Sequence, residues 1–180
     1  MKLADLAQLA ATLDLAGFRE KFPDPALVFL SPLARPVGDL KEVLAAATSP
    51  SIRVADIKST QRLDLKPLAP SADWKKTAQV LFLRPRFDPA EGITLGRALG
   101  NDYSLPVPSV SKSHVTFTQG SAGWKVTDLA SANGTFVDGR RLDGNDTSQI
   151  LDGSVIGFGP EVGARFYLPA GLFRFLTTDR

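Results

Sequence analysis

Residues 113–139 read SHVTFTQGSAGWKVTDLASANGTFVDG, and the spacing of apolar residues in this stretch predicts β-strands. Apolar and polar residues alternate over 114–118 and again over 124–128, with the turn formers Gln119-Gly120-Ser121 between the two runs. Alternation at every second residue is typical of strands with one buried face, and turn formers between two such runs indicate a hairpin. The stretch therefore predicts antiparallel β structure.

The same pattern extends over the second half of the chain. Short alternating runs separated by turn formers are found at 79–83, 92–96, 114–118, 124–128, 135–137, 154–158 and 164–168. Many short strands with turns at this spacing indicate a mainly β domain built as an antiparallel β-sandwich. We expect this domain to span residues 75–180, with residues 169–176 forming either a short helix or a closing strand.

Residues 1–74 are expected to form a small, partly helical N-terminal extension. An apolar stripe at helical spacing predicts an amphipathic helix that ends near Gly17; it comprises Leu3, Leu6, Ala7, Ala10 and Leu13. Residues 27–30 allow a short strand, and a capping-box spacing from Asp39 to Glu42 predicts a second helix over 40–47. Residues 48–74 are proline-containing, include a possible short strand at 52–57, and otherwise resemble a linker.

Composition excludes several classes of function. The 180 residues include no cysteine and a single histidine, so no disulfide framework, thiolate metal site or multi-histidine metal site is possible. We therefore expect no metal, no cofactor and no catalytic residues. The net charge of +2 gives little support to nucleic-acid binding, and no apolar run is long enough for a membrane helix. Without cysteine or an export signal, we expect a cytoplasmic protein.

Three polar segments of the β domain carry hydrogen-bond donors. They are Gly96-Arg97 at the end of one predicted strand, Ser109–His114 before the next, and Ser131–Thr135 before a third. Loops from different strand pairs gather at one end of a sandwich, so these segments are expected to share an apex. A guanidinium, hydroxyls, an ammonium and an amide with no acidic residue among them suit an oxyanion such as phosphate.

The ordered motifs resemble the forkhead-associated (FHA) domain family, which binds phosphothreonine peptides. The resemblance runs from about Gln79 to Leu168 and rests on Gly96-Arg97, Ser111-Lys112-Ser113-His114, Asn133-Gly134-Thr135 and the Asp152-Gly153 turn. It implies an eleven-strand sandwich of the FHA/SMAD-like type, with a phosphopeptide held by the apical loops.

The resemblance also implies a role for each site residue. Arg97 and Ser111 are expected to bind phosphate, with Lys112 and Ser113 beside them, and Asn133 to bond the peptide backbone just beyond the phosphothreonine. His114 is expected to brace the loops, Gly96 to end a strand and permit a turn, and Gly134 to support the site. Preference for the residues after the phosphothreonine is expected to come from loops around 138–141.

Two departures from the family pattern affect the expected affinity. Lys112 stands where an arginine is common, and Ala132 stands where a serine or threonine often helps to hold phosphate. A degenerate sandwich that assembles with other proteins independently of phosphate, through its N-terminal extension, is therefore the alternative.

Other functions fit the sequence poorly. Ser111, His114 and Asp128 suggest a hydrolase triad, but Ser111 and His114 are expected to face differently at a strand entry, and no Gly-x-Ser-x-Gly motif is present. The arginines at 84, 86, 140 and 141 are not interleaved with aromatic residues as a nucleic-acid platform requires.

The expected partner is a phosphothreonine-containing protein, such as a Ser/Thr kinase or its substrate, with no nucleic acid and no membrane. The chain would then be a signalling or assembly adaptor. Self-association is a further hypothesis, in which phosphorylated Thr48, Thr60 or Thr77 docks on another copy.

Overall fold

A computed structural model describes residues 1–30, 74–86 and 92–178. Eleven strands lie in these ranges: β1 (Ala26–Phe29), β2 (Val80–Phe82), β3 (Ile93–Gly96), β4 (Tyr103–Ser104), β5 (Val115–Gly120), β6 (Gly123–Asp128), β7 (Thr135–Val137), β8 (Arg140–Arg141), β9 (Thr147–Gln149), β10 (Val155–Phe158) and β11 (Val162–Tyr167). Four helices accompany them: α1 (Leu3–Ala10), α2 (Leu15–Lys21), α3 (Trp74–Thr77) and α4 (Pro169–Thr178).

The strands form two packed sheets, which confirms the predicted β-sandwich. One sheet has the order β2-β1-β11-β10-β7-β8 and the other β4-β3-β5-β6-β9. All neighbouring strands are antiparallel except β3 and β4, which pair in parallel. The predicted hairpin of β5 and β6 is present in register from Val115↔Asp128 to Gly120↔Gly123.

The main core lies between the sheets and is built from the inward residues of the alternating runs. Phe117 and Val126 of the five-stranded sheet, and Ile156, Phe158 and Phe166 of the six-stranded sheet, are fully buried in this core. Large apolar side chains removed from water on both inner faces are the main stabilising contribution to such a sandwich.

The N-terminal residues form a second layer on the outside of the six-stranded sheet. The ring of Phe18 on α2 lies 5.0 Å from that of Phe22 and 5.3 Å from that of Phe173 on α4. Phe22 in turn stacks on Phe82 of β2 at 5.0 Å. Burial on this second face explains why all four residues of β1 are buried, whereas burial alternates along the first four residues of β5.

The predicted end of the first helix is wrong. The helix α1 ends at Ala10, and Asp14 starts a new helix by accepting a hydrogen bond from the backbone N–H of Gly17 (2.8 Å). Aspartate is a strong N-cap, so the chain restarts a helix at the point where Gly17 suggested a stop. Gly17 lies inside α2.

The predicted strand at 27–30 is present as β1, which pairs with β2 on one side and β11 on the other. The proposed division between residues 74 and 75 stays a prediction, although a strand from the first segment lies inside the sheet of the second. At the C-terminus, the chain forms the helix rather than a closing strand.

The helix predicted at 40–47, the short strand at 52–57 and residues 48–73 of the linker lie outside the described residues. Within the ranges that the structure describes, no helix has the length and apolar character needed to cross a membrane.

The sandwich has two distinct ends. We call apical the end at which the chain leaves β3, enters β5, passes from β6 to β7 and turns between β10 and β11. The turn between β5 and β6 lies at the opposite, distal end, because β5 runs away from the apical end. All three polar segments of the sequence lie at the apical end.

Candidate functional site

The loop after β3 lies directly on the loop before β5. The backbone N–H of Arg97 donates to the carbonyl of Ser111 (2.7 Å), and that of Ala98 donates to the carbonyl of Lys112 (3.0 Å). Gly96 makes this approach possible, because an added Cβ would lie 2.4 Å from the Lys112 carbonyl oxygen. Gly96 ends β3 as expected, but the reason for the glycine needs correction: its φ is not left-handed, and the close backbone contact requires it.

The guanidinium of Arg97 is half-buried and partly held. Its Nε donates to the carbonyl of Val110 (3.2 Å). Among residues 1–30, 74–86 and 92–178, no carboxylate pairs with it, and its two terminal nitrogens have no protein partner. A guanidinium fixed through Nε with both terminal nitrogens open can bind two oxygens of a phosphate.

Ser111 connects the loop before β5 to the segment between β6 and β7. Its Oγ accepts a hydrogen bond from the backbone N–H of Ala132 (2.9 Å). A hydroxyl that accepts one bond keeps its own proton for another acceptor. The Ser111 hydroxyl can therefore donate to a bound anion while staying fixed.

Asn133 is more constrained than the resemblance implies. Its Nδ2 donates to the carbonyl of Ser109 (2.7 Å), so the side chain ties its own loop to the loop before β5. The amide oxygen and the second N–H are not used by any residue of the described part of the chain. These two groups are enough to pair with a peptide backbone.

Lys112 and Ser113 are exposed, and their side chains contact no partner within the described residues. The backbone carbonyl of Lys112, by contrast, accepts two hydrogen bonds, one from the backbone N–H of Ala98 and one from Nδ2 of Asn101 (2.7 Å). The backbone of Lys112 thus anchors the loop, while its side chain is exposed to solvent.

His114 is completely buried and joins two of the loops. The backbone N–H of Ser111 donates to its Nδ1 (3.1 Å), and its Nε2 lies 3.3 Å from the carbonyl of Gly134. Because Nδ1 accepts, the proton is on Nε2 and the ring is neutral. Burial lowers the pKa of His114 below 6.5, and this effect outweighs the opposite influences of Asp128 and the Gly134 carbonyl.

Gly134 completes the turn that His114 supports. Its φ of 79° lies in the left-handed region that favours glycine. An added Cβ would also lie 2.5 Å from Nε of Arg141, so that guanidinium lies directly against the turn.

Two buried polar residues hold the site in structural roles that were not predicted from the sequence. Asp128 is 1% exposed and accepts from the backbone N–H of Ser131 (2.9 Å), the Ser131 hydroxyl (2.6 Å) and the Thr135 hydroxyl. Asn101 bonds the carbonyls of Ala98 and Lys112, both at 2.7 Å. The Asp128-x-x-Ser131 spacing is a recognisable signal, because an aspartate can accept from the backbone N–H three residues on, as a helix N-cap does, whereas nothing in the sequence pairs Asn101 with Lys112.

The hydrolase triad does not form. Nδ1 of His114 accepts from the backbone of Ser111 rather than from its hydroxyl, and Asp128 binds Ser131 and Thr135 rather than the imidazole. A nucleophile requires a hydrogen bond from its hydroxyl to the base, and this bond is missing here.

The expected specificity loop at 138–141 is wrong in part. β7 begins at the apical end, so the Asp138-Gly139 turn at its other end is distal, and the Asp138 carboxylate binds Ser154 Oγ (3.0 Å) and Val155 N–H (2.7 Å). Only Arg141 returns towards the apical end. The sequence showed the turn but not the direction of the strand that carries it.

Replacing Gly96 with alanine should destabilise the protein by about 1–3 kcal/mol, because the new Cβ forces the two loops apart. Chemical denaturation measures this change. The matched control is Gly100→Ala, since no atom lies within 4 Å of an added Cβ there and φ is not left-handed. Equal stability of the two variants would contradict the close approach.

The stability of the protein should fall as the pH decreases through 6.5, since unfolded His114 takes up a proton more readily than the native, buried ring. One such group changes the free energy of unfolding by at most about 1.4 kcal/mol per pH unit. As the chain has one histidine, a single imidazole titration by NMR gives its pKa directly. A midpoint above 6.5 would contradict a neutral, buried ring.

Comparisons with known proteins bear on the same part of the chain. The FHA domain family model matches residues 93–159. An ABC transporter ATP-binding/permease protein of Mycobacterium tuberculosis is 35% identical over 71 residues, which are 39% of this chain and 8% of that protein. An FHA domain-containing protein of Arabidopsis thaliana is 31% identical over 74 residues, 41% of this chain and 19% of that protein. The chain thus spans less than a fifth of the length of either relative.

Among solved structures, the N-terminal FHA domain of an S. cerevisiae protein in complex with a phosphothreonine peptide is similar to this chain. It is 22% identical with a TM-score of 0.41, covering 50% of this chain and 84% of that one. The family match covers the strands and loops that carry Arg97, Ser111 and Asn133. Residues 93–159 of this chain are therefore an FHA domain.

Proposed function

We propose that the chain is a non-catalytic module that binds phosphothreonine in a partner protein. The observation that carries this proposal is the Arg97 guanidinium, which is fixed through Nε to the Val110 carbonyl and has no carboxylate partner among the described residues. A half-buried cation held in one orientation without an internal counter-ion is suited to an external anion.

The other groups at the apical end suit the same anion. The hydroxyl of Ser111 accepts one hydrogen bond, from Ala132 N–H, and its own proton stays available for donation. The ammonium of Lys112 is in solvent on the same loop. Each hydrogen bond from such donors to a charged phosphate contributes about 1.5–3 kcal/mol, so three donors give measurable affinity for a short peptide.

Asn133 supplies recognition of the peptide chain rather than of the phosphate. Its fixed amide presents one acceptor and one donor, the combination that an extended peptide backbone can satisfy. Ala132 provides no hydroxyl, and its backbone N–H is already bonded to Ser111. Binding of the phosphate is therefore proposed to depend mainly on Arg97 and Ser111.

The partner is proposed to be a Ser/Thr kinase or a protein that such a kinase phosphorylates, with this chain acting as a signalling or assembly adaptor. The cytoplasmic location stays a prediction. For self-association, Thr48 and Thr60 lie outside the described residues, while Thr77 is exposed at the end of α3, with its hydroxyl 3.3 Å from the Trp74 carbonyl.

A phosphate-independent assembly scaffold remains the second candidate, and Ala132 is the observation that favours it. In that case the N-terminal helices, rather than the apical loops, would contact the partner. A phosphothreonine peptide library and its unphosphorylated counterpart distinguish the two, because only the phosphate receptor binds the first library selectively.

Replacing Arg97 with alanine should weaken binding of a phosphothreonine peptide by at least about 100-fold, since two charge-assisted hydrogen bonds are lost. The melting temperature should change little, because the side chain makes one bond within the described protein. Isothermal titration and thermal denaturation measure the two quantities. The matched control is Arg140→Ala, an exposed arginine of β8, which should bind as the wild type does.

Unchanged phosphopeptide affinity in Arg97→Ala would contradict the proposal. A large loss of thermal stability would instead assign Arg97 a structural role.

A further inference from the structure

The turn between β10 and β11 places a carboxylate beside the candidate peptide site. Oε2 of Glu161 accepts a hydrogen bond from the hydroxyl of Ser109 (2.6 Å), and the carbonyl of Ser109 accepts from Nδ2 of Asn133 (2.7 Å). Gly159 on the same turn lies against Asn133, since an added Cβ would be 3.2 Å from the Asn133 Cβ. The carboxylate is therefore fixed relative to Asn133 through one buried serine.

Glu161 keeps most of its hydrogen-bonding capacity. The residue is exposed, and no lysine or arginine of the described ranges pairs with it. A carboxylate has about four acceptor positions, of which Ser109 uses one. Ser109 is only 3% exposed, so it holds the acidic side chain in place without shielding it.

The charges around Asn133 are separated in space. In the six-stranded sheet β7 lies between β10 and β8, so the turn with Glu161 and the Arg141 guanidinium flank the Asn133-Gly134 turn from opposite sides. Bound phosphate would neutralise Arg97 and Lys112. The Glu161 side would then be the negative side of the peptide path.

We propose that Glu161 selects partner peptides that carry a lysine or arginine close to the phosphothreonine. This inference rests on the proposed function and adds the chemistry of the flanking sequence. An exposed ion pair gives a modest gain that salt weakens, so the preference should be small at physiological ionic strength and vanish at high salt.

The test uses pairs of phosphothreonine peptides. Each pair varies a single position, taken in turn from three residues before to three residues after the phosphothreonine. One peptide of the pair carries lysine at that position and the other carries glutamate. With the wild-type protein, lysine should be preferred at one or two adjacent positions by roughly two- to fivefold in Kd, measured by titration.

Two variants connect that preference to the carboxylate. Glu161→Gln can keep the bond to Ser109 and should abolish the lysine preference, whereas Glu161→Lys should reverse it. The matched control is Glu20→Lys, which makes the same change of charge at an exposed position on α2 and should retain the wild-type preference.

Phosphate-dependent binding with no lysine preference at any position would overturn this inference and leave the proposed function standing. The same holds for a lysine preference that survives in Glu161→Gln. If no peptide bound in a phosphate-dependent manner, both the inference and the proposed function would fall.

Discussion

The imidazole of His114 lies between two loops that come from different parts of the sandwich. It accepts from the backbone of Ser111 through Nδ1 and reaches the carbonyl of Gly134 through Nε2, while its edge contacts the ring of Phe158 (5.9 Å). A neutral ring inside the core makes both contacts without the cost of burying a charge. The positions of Ser111 and Asn133 relative to each other depend on this residue.

Other buried polar groups complete the same framework. Asp128 organises the segment between β6 and β7, and Asn101 ties the loop after β3 to the loop before β5. Because both carboxylate oxygens of Asp128 and the Nδ2 group of Asn101 are bonded to neighbouring backbone or hydroxyl groups, the loops are held in one arrangement. Within the described residues, Arg97, Ser111, Lys112 and Asn133 are among the apical residues that keep hydrogen-bonding groups which no protein group uses. The bonded framework fixes the loops, and these open groups give the site its proposed chemistry.

The sequence predicted the strands in which apolar and polar residues alternate. It missed the short strands that exist only because they form hydrogen bonds with a neighbouring strand. The runs at 114–118 and 124–128 became β5 and β6 because their apolar residues face the core. Strands β4 and β8 have two residues each, too short for any periodicity, and exist because a neighbouring strand offers hydrogen bonds.

The site shows the same contrast. The residue types of the three polar segments predicted an anion receptor at one end of a sandwich, and the structure brings these segments together at that end. The role of Gly96 was not predictable, because it depends on the Lys112 carbonyl, which lies close only after folding. The Asp138-Gly139 turn was placed at the wrong end for a similar reason, since a turn signal does not tell which end of a strand it follows.

The claim that three loops share one anion can be tested most directly by following the backbone amides during a titration. Isotope-labelled protein is titrated with a phosphothreonine peptide and, separately, with the same peptide without phosphate. The amide signals of Arg97, Ser111 and Asn133 should shift together with one apparent Kd, and only with the phosphorylated peptide. Shifts confined to one of these loops, or centred on Gln119 and Trp124 at the distal end, would contradict the account.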